Sequence, residues 1–164
     1  MIISSILMLF VVLTLVVAGT STQSLTLREA GLKKGMYIGS QFRYDVVFQS
    51  DVDTNYTKVH GNQFSLSTVG NQCKWAATHQ SRNSYNLTRC IQSFEYAKQK
   101  HQEFRGHNLC WGNNNPEWLL DGNWTQTDLQ TILEDHVSSV MKGLESHGDV
   151  YAWVRFLFHV SLCA

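Results

Sequence analysis

The stretch that decides the fold runs from Thr125 to Phe158 and reads TQTDLQTILEDHVSSVMKGLESHGDVYAWVRFLF. It begins with Thr125 and Asp128, whose three-residue spacing is typical of a capping box at a helix start. Apolar residues then recur at helical spacing, which predicts a helix with one buried stripe that ends at Gly148. The stripe comprises Leu129, Ile132, Leu133, His136, Val137, Val140, Met141 and Leu144. An apolar run over residues 150–158 follows and predicts a strand.

The same alternation of strand and helix extends upstream. Short apolar runs predict strands at residues 36–40, 63–71 and 103–111. Helices are predicted at residues 25–35, 50–61 and 87–101, the first with Leu25, Ala30 and Leu32 on one face and a stop at Gly35. Strands that alternate with helices indicate an α/β fold with a parallel sheet, either covered by helices on both faces or closed into a barrel. With four strands and no linker, the chain looks like one domain and the first half of something larger.

Composition and the amino-terminal sequence bear on partners and location. The chain of 164 residues balances 13 basic against 13 acidic side chains, so charge gives no reason to expect a nucleic-acid or acidic-membrane partner. Residues 1–19 are apolar and end in small residues, which predicts a signal peptide cleaved after Gly19, or alternatively an uncleaved anchor helix. Sequons at Asn55, Asn86 and Asn123 agree with a secreted, extracellular glycoprotein that has no membrane contact once the signal peptide is removed.

The four cysteines are Cys73, Cys90, Cys110 and Cys163. Their spacing matches no zinc pattern, and we expect neither a metal nor a cofactor. In an oxidising compartment a disulfide is plausible, and Cys73–Cys90 is the favoured pair. The alternative is four free and mostly buried thiols.

Several motifs together carry a family resemblance. They are LREAGLKKGMYIGS at 27–40, GNQCKW at 70–75, FRGHNLCW at 104–111, NPEWL at 115–119 and ILEDHVSSVMKGLESHGDVYAW at 132–153. In this order and spacing they resemble glycoside hydrolase family 10, the endo-1,4-β-xylanases, over residues 25–153. The resemblance implies a partial (β/α)8 TIM barrel, about strands one to four with their helices, and a site on the loops after the strands. It also implies that the partner is xylan or xylo-oligosaccharides.

The resemblance assigns four substrate-binding residues. The family motif after strand two reads approximately Glu-Asn-x-x-Lys-Trp, so Asn71 and Lys74 match it, whereas Gly70 replaces the glutamate. His107 matches a histidine that contacts the same sugar, and Trp111 matches a tryptophan that stacks on a sugar ring. Two departures follow Trp111, where Gly112 replaces the usual histidine and Asn114 the usual glutamine. We expect the other four tryptophans and His136 to serve packing.

The catalytic residues of the family are not matched. The family cleaves xylan with retention, which needs one carboxylic acid as acid/base and a second as nucleophile. Phe158 stands where the acid/base glutamate is expected, and the nucleophile belongs to a later strand. We therefore name no catalytic residue and expect no hydrolysis by this chain alone.

The sequence changes abruptly after Trp153, which bears on the origin of residues 154–164. Residues 154–164 match nothing in the family, and we expect a frameshift, a retained intron or an incorrect gene prediction to be the cause. Two other hypotheses remain open. One is a non-catalytic module that binds xylo-oligosaccharides, and the other is a half-barrel fragment that self-associates through its open edge.

Overall fold

The computed structural model describes residues 24–49 and 53–155. The predicted signal peptide and most of the predicted tail lie outside these residues, as does Phe158. In chain order the elements are α1 (Leu27–Leu32), β1 (Gly39–Phe42), α2 (Tyr44–Phe48), α3 (Thr54–Gln63), β2 (Leu66–Val69), α4 (Trp75–Thr78), α5 (Thr88–Gln99), β3 (Glu103–Cys110), α6 (Glu117–Leu120), α7 (Gln126–Glu145) and β4 (Ala152–Arg155).

The four strands form one parallel sheet in the order β1-β2-β3-β4. Each strand lies beside its neighbour in sequence, and a helix crosses over between them, so the predicted α/β class with a parallel sheet is confirmed. The register places Gln41 beside Thr68, and Thr68 beside Arg105. Because parallel strands all run the same way, their carboxyl ends and the loops that follow meet at one edge of the sheet.

The sheet has one face covered by helices and one face that is more open. On the covered face, Val69 of β2 and Phe104 of β3 are buried against Phe94 of α5 and Val140 of α7. The Phe94 and Phe104 rings meet edge to face with centroids 5.2 Å apart. On the other face of β3, Glu103, Arg105 and His107 remain partly exposed, which follows from the two-residue alternation of a strand.

The helix α7 confirms the strongest prediction from the sequence. The Thr125 side chain accepts from the backbone N–H of Asp128, and the Asp128 carboxylate accepts from the backbone N–H of Thr125, which completes the capping box. The stripe residues that are fully buried are Ile132, His136, Val140 and Leu144. Met141 is the exception, since 46% of it is exposed and it lies at the edge of the stripe.

Three details of the predicted elements are wrong. The first strand is shifted, because pairing with β2 begins at Gly39 and Met36 and Tyr37 stay outside the sheet. Leu25 and Leu32 are 53% and 48% exposed, so the expected apolar face of α1 is not buried among the described residues. The helix α3 continues through Gly61 to Gln63, since Gly61 packs against the Lys100 side chain and does not end the helix.

Three short helices, α2, α4 and α6, were not predicted. Each has four or five residues and is too short to show a helical repeat in the sequence. All three follow the carboxyl end of a strand directly or after a brief loop. They therefore build the edge of the sheet at which a site is expected.

Within residues 24–49 and 53–155, no helix combines the length and the apolar character that crossing a membrane requires. The same residues contain no cluster of three or more His, Cys, Asp or Glu side chains that could bind a metal ion.

Candidate functional site

The four predicted substrate-binding residues lie together at the carboxyl edge of the sheet. Asn71 and Lys74 are in the loop between β2 and α4, His107 is near the end of β3, and Trp111 directly follows β3. Since β2 and β3 are adjacent parallel strands, residues that are distant in sequence meet at this edge. Asn71 is exposed and the other three are partly buried, so each side chain is accessible to a ligand.

The side chains of these four residues form a series, in which each contacts the next. Nζ of Lys74 donates to Oδ1 of Asn71 at 2.8 Å. The same ammonium group lies 5.1 Å from the centre of the Trp111 ring, within the range of a cation–π interaction. The Trp111 ring is in turn 6.2 Å from the His107 ring, at an angle of 51°. The result is a continuous surface of one amide, one cation and two aromatic rings.

The surroundings of His107 favour its neutral form. Burial lowers the pKa of His107 below its usual value, and the positive charges of Lys74 and Arg105 lower it further. A neutral imidazole has one N–H donor and one acceptor nitrogen, so it can bond to a sugar hydroxyl in either sense. The peptide bond between His107 and Asn108 is cis.

The loop that carries Asn71 and Lys74 is anchored by a disulfide bond. Cys73 and Cys90 are bonded to each other, with Cα atoms 4.8 Å apart and both side chains fully buried. This is the pair favoured from the sequence, and it excludes the alternative of four free thiols. Because Cys90 lies in α5, the bond ties the loop to the helix that covers the sheet.

Gly70 shows how the chain departs from the family motif. Its backbone N–H donates to the carbonyl oxygen of Phe42 at 3.2 Å, which closes the end of the β1–β2 pair. A Cβ atom placed on Gly70 would lie 2.9 Å from Nε2 of Gln41. The Gln41 amide therefore lies beside the position from which the family glutamate would project. Gln41 was not predictable from the sequence, because nothing in β1 indicates contact with Gly70.

A small pocket of about 230 Å³ adjoins Gly70 at the ends of β1 and β2. Asp45 lines it, and its carboxylate accepts from the Arg43 guanidinium at 2.7 Å. This hydrogen bond lowers the pKa of Asp45, whose side chain is largely exposed. Since the pair is open to solvent, it contributes little to stability but leaves the pocket with no net charge.

The loop after β3 is held by its backbone. The carbonyl oxygen of Asn114 accepts from the N–H of Ala76 in α4 at 3.0 Å, and Asn114 itself has a φ of 60°. Asparagine adopts this left-handed conformation more easily than most residues. Asn114 therefore joins the loop after β3 to the first turn of α4. Gly112 is exposed and adds no side chain to the pocket.

The other tryptophans and His136 serve packing, as expected. Trp75 is buried and stacks on His136, with ring centres 4.2 Å apart. Nε1 of Trp118 donates to the carbonyl of His79, and Nε1 of Trp124 donates to the carbonyl of Leu119. The Trp153 ring lies where a side chain on Gly106 would be, so these two residues hold β3 and β4 together.

The three sequon asparagines, Asn55, Asn86 and Asn123, are exposed. Asn86 has structural contacts as well, since its N–H donates to the carbonyl of Thr78 and its Oδ1 accepts from the N–H of Thr88. Exposure makes all three accessible to glycosylation. Asn86 lies on the same side of the molecule as Asn71, because both line one cavity.

Comparisons with known proteins extend this description. The sequence pattern of glycosyl hydrolase family 10 matches residues 26–154. The chain belongs to this family. It is 34% identical over 138 residues to endo-1,4-beta-xylanase B of Thermotoga neapolitana, which covers 84% of this chain and 39% of that protein. It is 35% identical over 101 residues to endo-1,4-beta-xylanase 1 of Gibberella zeae, which covers 60% and 28%.

Solved structures of the family have the same fold. The structure of xylanase 10B from Thermotoga petrophila in complex with xylobiose superposes with a TM-score of 0.70 at 33% identity, over 74% of this chain and 37% of that one. Glycosyl hydrolase family 10 proteins are (β/α)8 barrels, so the four parallel strands and their helices form part of such a barrel, as predicted. The matched part of the chain spans 28% to 39% of the length of these relatives.

Proposed function

We propose that this family 10 segment binds the xylose units of xylan next to the bond that is cleaved, in a protein whose function is retaining hydrolysis of β-1,4-xylosidic bonds. The observation that carries the proposal is the contact series Asn71, Lys74, Trp111 and His107 at the carboxyl edge of the sheet. A structural relative was solved with xylobiose, which supports this substrate class.

The chemistry of the four residues suits a sugar. The Lys74 ammonium group donates to hydroxyl oxygens, and the Asn71 amide both donates and accepts. The Trp111 ring offers an apolar face to the C–H groups of a pyranose ring. Burial lowers the pKa of His107 and so favours its neutral form, which adds one donor and one acceptor.

Hydrolysis itself needs two carboxylic acids about 5–5.5 Å apart. By resemblance Phe158 stands at the acid/base position, and a phenyl group can neither donate nor accept a proton. We therefore propose that the 164-residue chain as written binds xylo-oligosaccharides without cleaving them. Release of reducing sugar from xylan by purified chain, above a heat-treated control, would show that this part of the proposal is wrong.

The binding proposal is tested by titration calorimetry with xylobiose. Trp111→Ala should weaken binding about tenfold because the stacking face is lost, and Lys74→Met should do so because a charged donor is lost. Tyr151→Ala and Lys34→Met are matched controls, since Tyr151 and Lys34 are exposed residues near the opposite edge of the sheet. If the controls weaken binding as much as the site variants, the site lies elsewhere.

We also propose that the protein is secreted and glycosylated. The apolar residues 1–19 and the exposed Asn55, Asn86 and Asn123 support this proposal, as does the Cys73–Cys90 bond. Expression in a eukaryotic secretory host should give a chain that begins at Thr20 and carries N-glycans. Mass spectrometry that finds Met1 retained would contradict it.

Self-association is a second candidate role, favoured by one observation. Among the described residues β1 and β4 are the outer strands of the sheet, so neither pairs with a strand on its outer side there. Two copies whose outer strands pair would bury these edges. Sedimentation at micromolar concentration should then report a dimer, and a monomer would exclude this role.

A further inference from the structure

Cys110 is the last residue of β3, at the carboxyl edge of the sheet. Its side chain is 7% exposed and lies in a buried cluster with Trp75, Leu119 and Ile132. Trp111 follows it directly, so Cys110 lies next to the proposed sugar-binding surface. The proposed function makes no use of its sulfur atom.

The sulfur atom of Cys110 is not a free thiol. Among the described residues, no cysteine carries one. Cys73 and Cys90 are bonded to each other, so neither is available to Cys110. The chain has four cysteines, and the fourth is Cys163. Within one chain, Cys163 is therefore the cysteine that remains as a disulfide partner for Cys110.

The pairing of β3 with β4 brings Cys163 within reach. Cys110 lies beside Arg155 of β4 in the register of the sheet, and Cys163 follows Arg155 by eight positions. Paired residues on neighbouring strands are about 5 Å apart and the Cα atoms of bonded cysteines about 4.4–6.8 Å apart, so the bond requires Cys163 to lie within about 12 Å of Arg155. Since eight residues can extend about 26 Å, the segment is long enough to turn back and make the bond.

We infer that Cys110 and Cys163 form a second disulfide bond, which holds residues 156–163 at the carboxyl edge of the sheet beside Trp111. As the S–S bond forms, the two thiols lose two protons and two electrons. A disulfide-bonded protein oxidant of the secretory compartment takes up both and becomes a dithiol. Because β4 is an outer strand among the described residues, the bond ties the chain that follows this strand to the neighbouring strand β3. The inference does not depend on sugar binding.

Peptide mapping tests the bond directly. The full chain is produced in an oxidising secretory host, denatured, treated with iodoacetamide to block free thiols, and digested with trypsin without reductant. Cleavage after lysine and arginine puts each cysteine in a peptide of its own, at residues 59–74, 90–98, 106–142 and 156–164. The expected products are 59–74 joined to 90–98 and 106–142 joined to 156–164, from a protein that is a monomer without reductant.

Two results of this experiment would overturn the inference. One is recovery of peptides 106–142 and 156–164 separately, each alkylated once. The other is a covalent dimer that becomes a monomer on reduction, since the bond would then join two copies of the chain.

The variant Cys163→Ser gives a second test that does not require the variant to fold. Titration in denaturant should find one free thiol per chain, that of Cys110. The unaltered chain and the matched control Ser161→Ala should show none. If monomeric Cys163→Ser also shows no free thiol, Cys110 is not bonded to Cys163 and the inference is wrong.

Discussion

At the scale of single residues, Gly70 separates this chain from the family motif that it otherwise follows. The motif carries a glutamate where Gly70 stands, and the Gln41 amide lies beside the empty position. A glutamine can accept a hydrogen bond from a sugar hydroxyl, but it lacks the charge that makes a carboxylate a stronger acceptor. We therefore expect the chain to bind xylo-oligosaccharides more weakly than a family member that retains the glutamate.

The variant Gly70→Glu tests this expectation. The new Cβ would meet the far end of the Gln41 side chain at 2.9 Å, and because that end is flexible it can move aside. Xylobiose affinity should rise about tenfold, by about 1.5 kcal/mol for one charge-assisted hydrogen bond. Gly70→Ala is the matched control, since it displaces Gln41 without adding a carboxylate. Equal affinities for the two variants would show that the glutamate is not needed here.

At the scale of elements, long periodic segments were predictable and short ones were not. The capping box and the buried stripe of α7, and the apolar run of β3, could be identified because each repeats a local pattern over many residues. The short helix α4 could not, since its first residues depend on the bond between Ala76 and Asn114 in another loop. The site residues were named through family resemblance. Their mutual contacts join separate elements and can be found only from the structure.

The link between the β2–α4 loop and α5 is an element-scale feature that can be tested. The double variant Cys73→Ala/Cys90→Ala removes a bond that closes a loop with a sequence separation of 17. It should lower the free energy of unfolding by about 3 kcal/mol, because the unfolded chain gains conformational freedom. Thermal unfolding followed by circular dichroism measures this change.

The same variant should also weaken xylobiose binding at a temperature where both proteins are folded. Lys74 follows Cys73 directly, so a looser loop positions its ammonium group less well. The outcome that contradicts this account is an unchanged unfolding midpoint together with an unchanged affinity. That result would mean that packing around Cys90 holds the loop without the covalent bond.

At the scale of the whole molecule, stability should depend on three histidines in the interior. His60, His79 and His136 are all at most 2% exposed. Burial lowers the pKa of His60 to about 4 and that of His136 to about 3, and it lowers the pKa of His79. The unfolded chain binds protons at these residues near pH 6.5, whereas the folded chain does not. The contribution of these histidines to the free energy of unfolding is therefore fully present above pH 6.5 and is lost as the pH falls toward 4.

The free energy of unfolding should fall by about 1.4 kcal/mol per pH unit for each fully buried histidine. This applies over the interval between the pKa of that histidine in the unfolded chain and its pKa in the folded chain. Urea unfolding at pH 7 and pH 5 measures it. His136→Phe keeps a ring stacked on Trp75, but the phenyl ring cannot be protonated. The free energy of unfolding of this variant should therefore depend less on pH. His101→Asn changes an exposed histidine and should leave the dependence as it is. A midpoint that does not move between pH 7 and pH 5 would rule out this explanation.

The sheet as a whole explains how four residues that are distant in sequence come to lie at one edge. Adjacent parallel strands β2 and β3 bring Asn71, Lys74, His107 and Trp111 to one edge, and their contacts with one another are complete within the described residues. Catalysis has a different requirement, because it needs two carboxylic acids; by resemblance Phe158 stands at the position of one, and the other belongs to a later strand. Binding and cleavage of xylo-oligosaccharides by this chain can therefore be tested separately.

The central claim is that these four residues bind xylose units, and the tryptophan indole N–H signals in a nitrogen-15 NMR spectrum test it most directly. The chain has five tryptophans, so Trp111 can be followed while Trp75, Trp118, Trp124 and Trp153 serve as internal controls. On titration with xylobiose, the account predicts a saturable shift of the Trp111 signal and small changes in the other four. A Trp111 signal that does not move, while the protein remains folded, would contradict it.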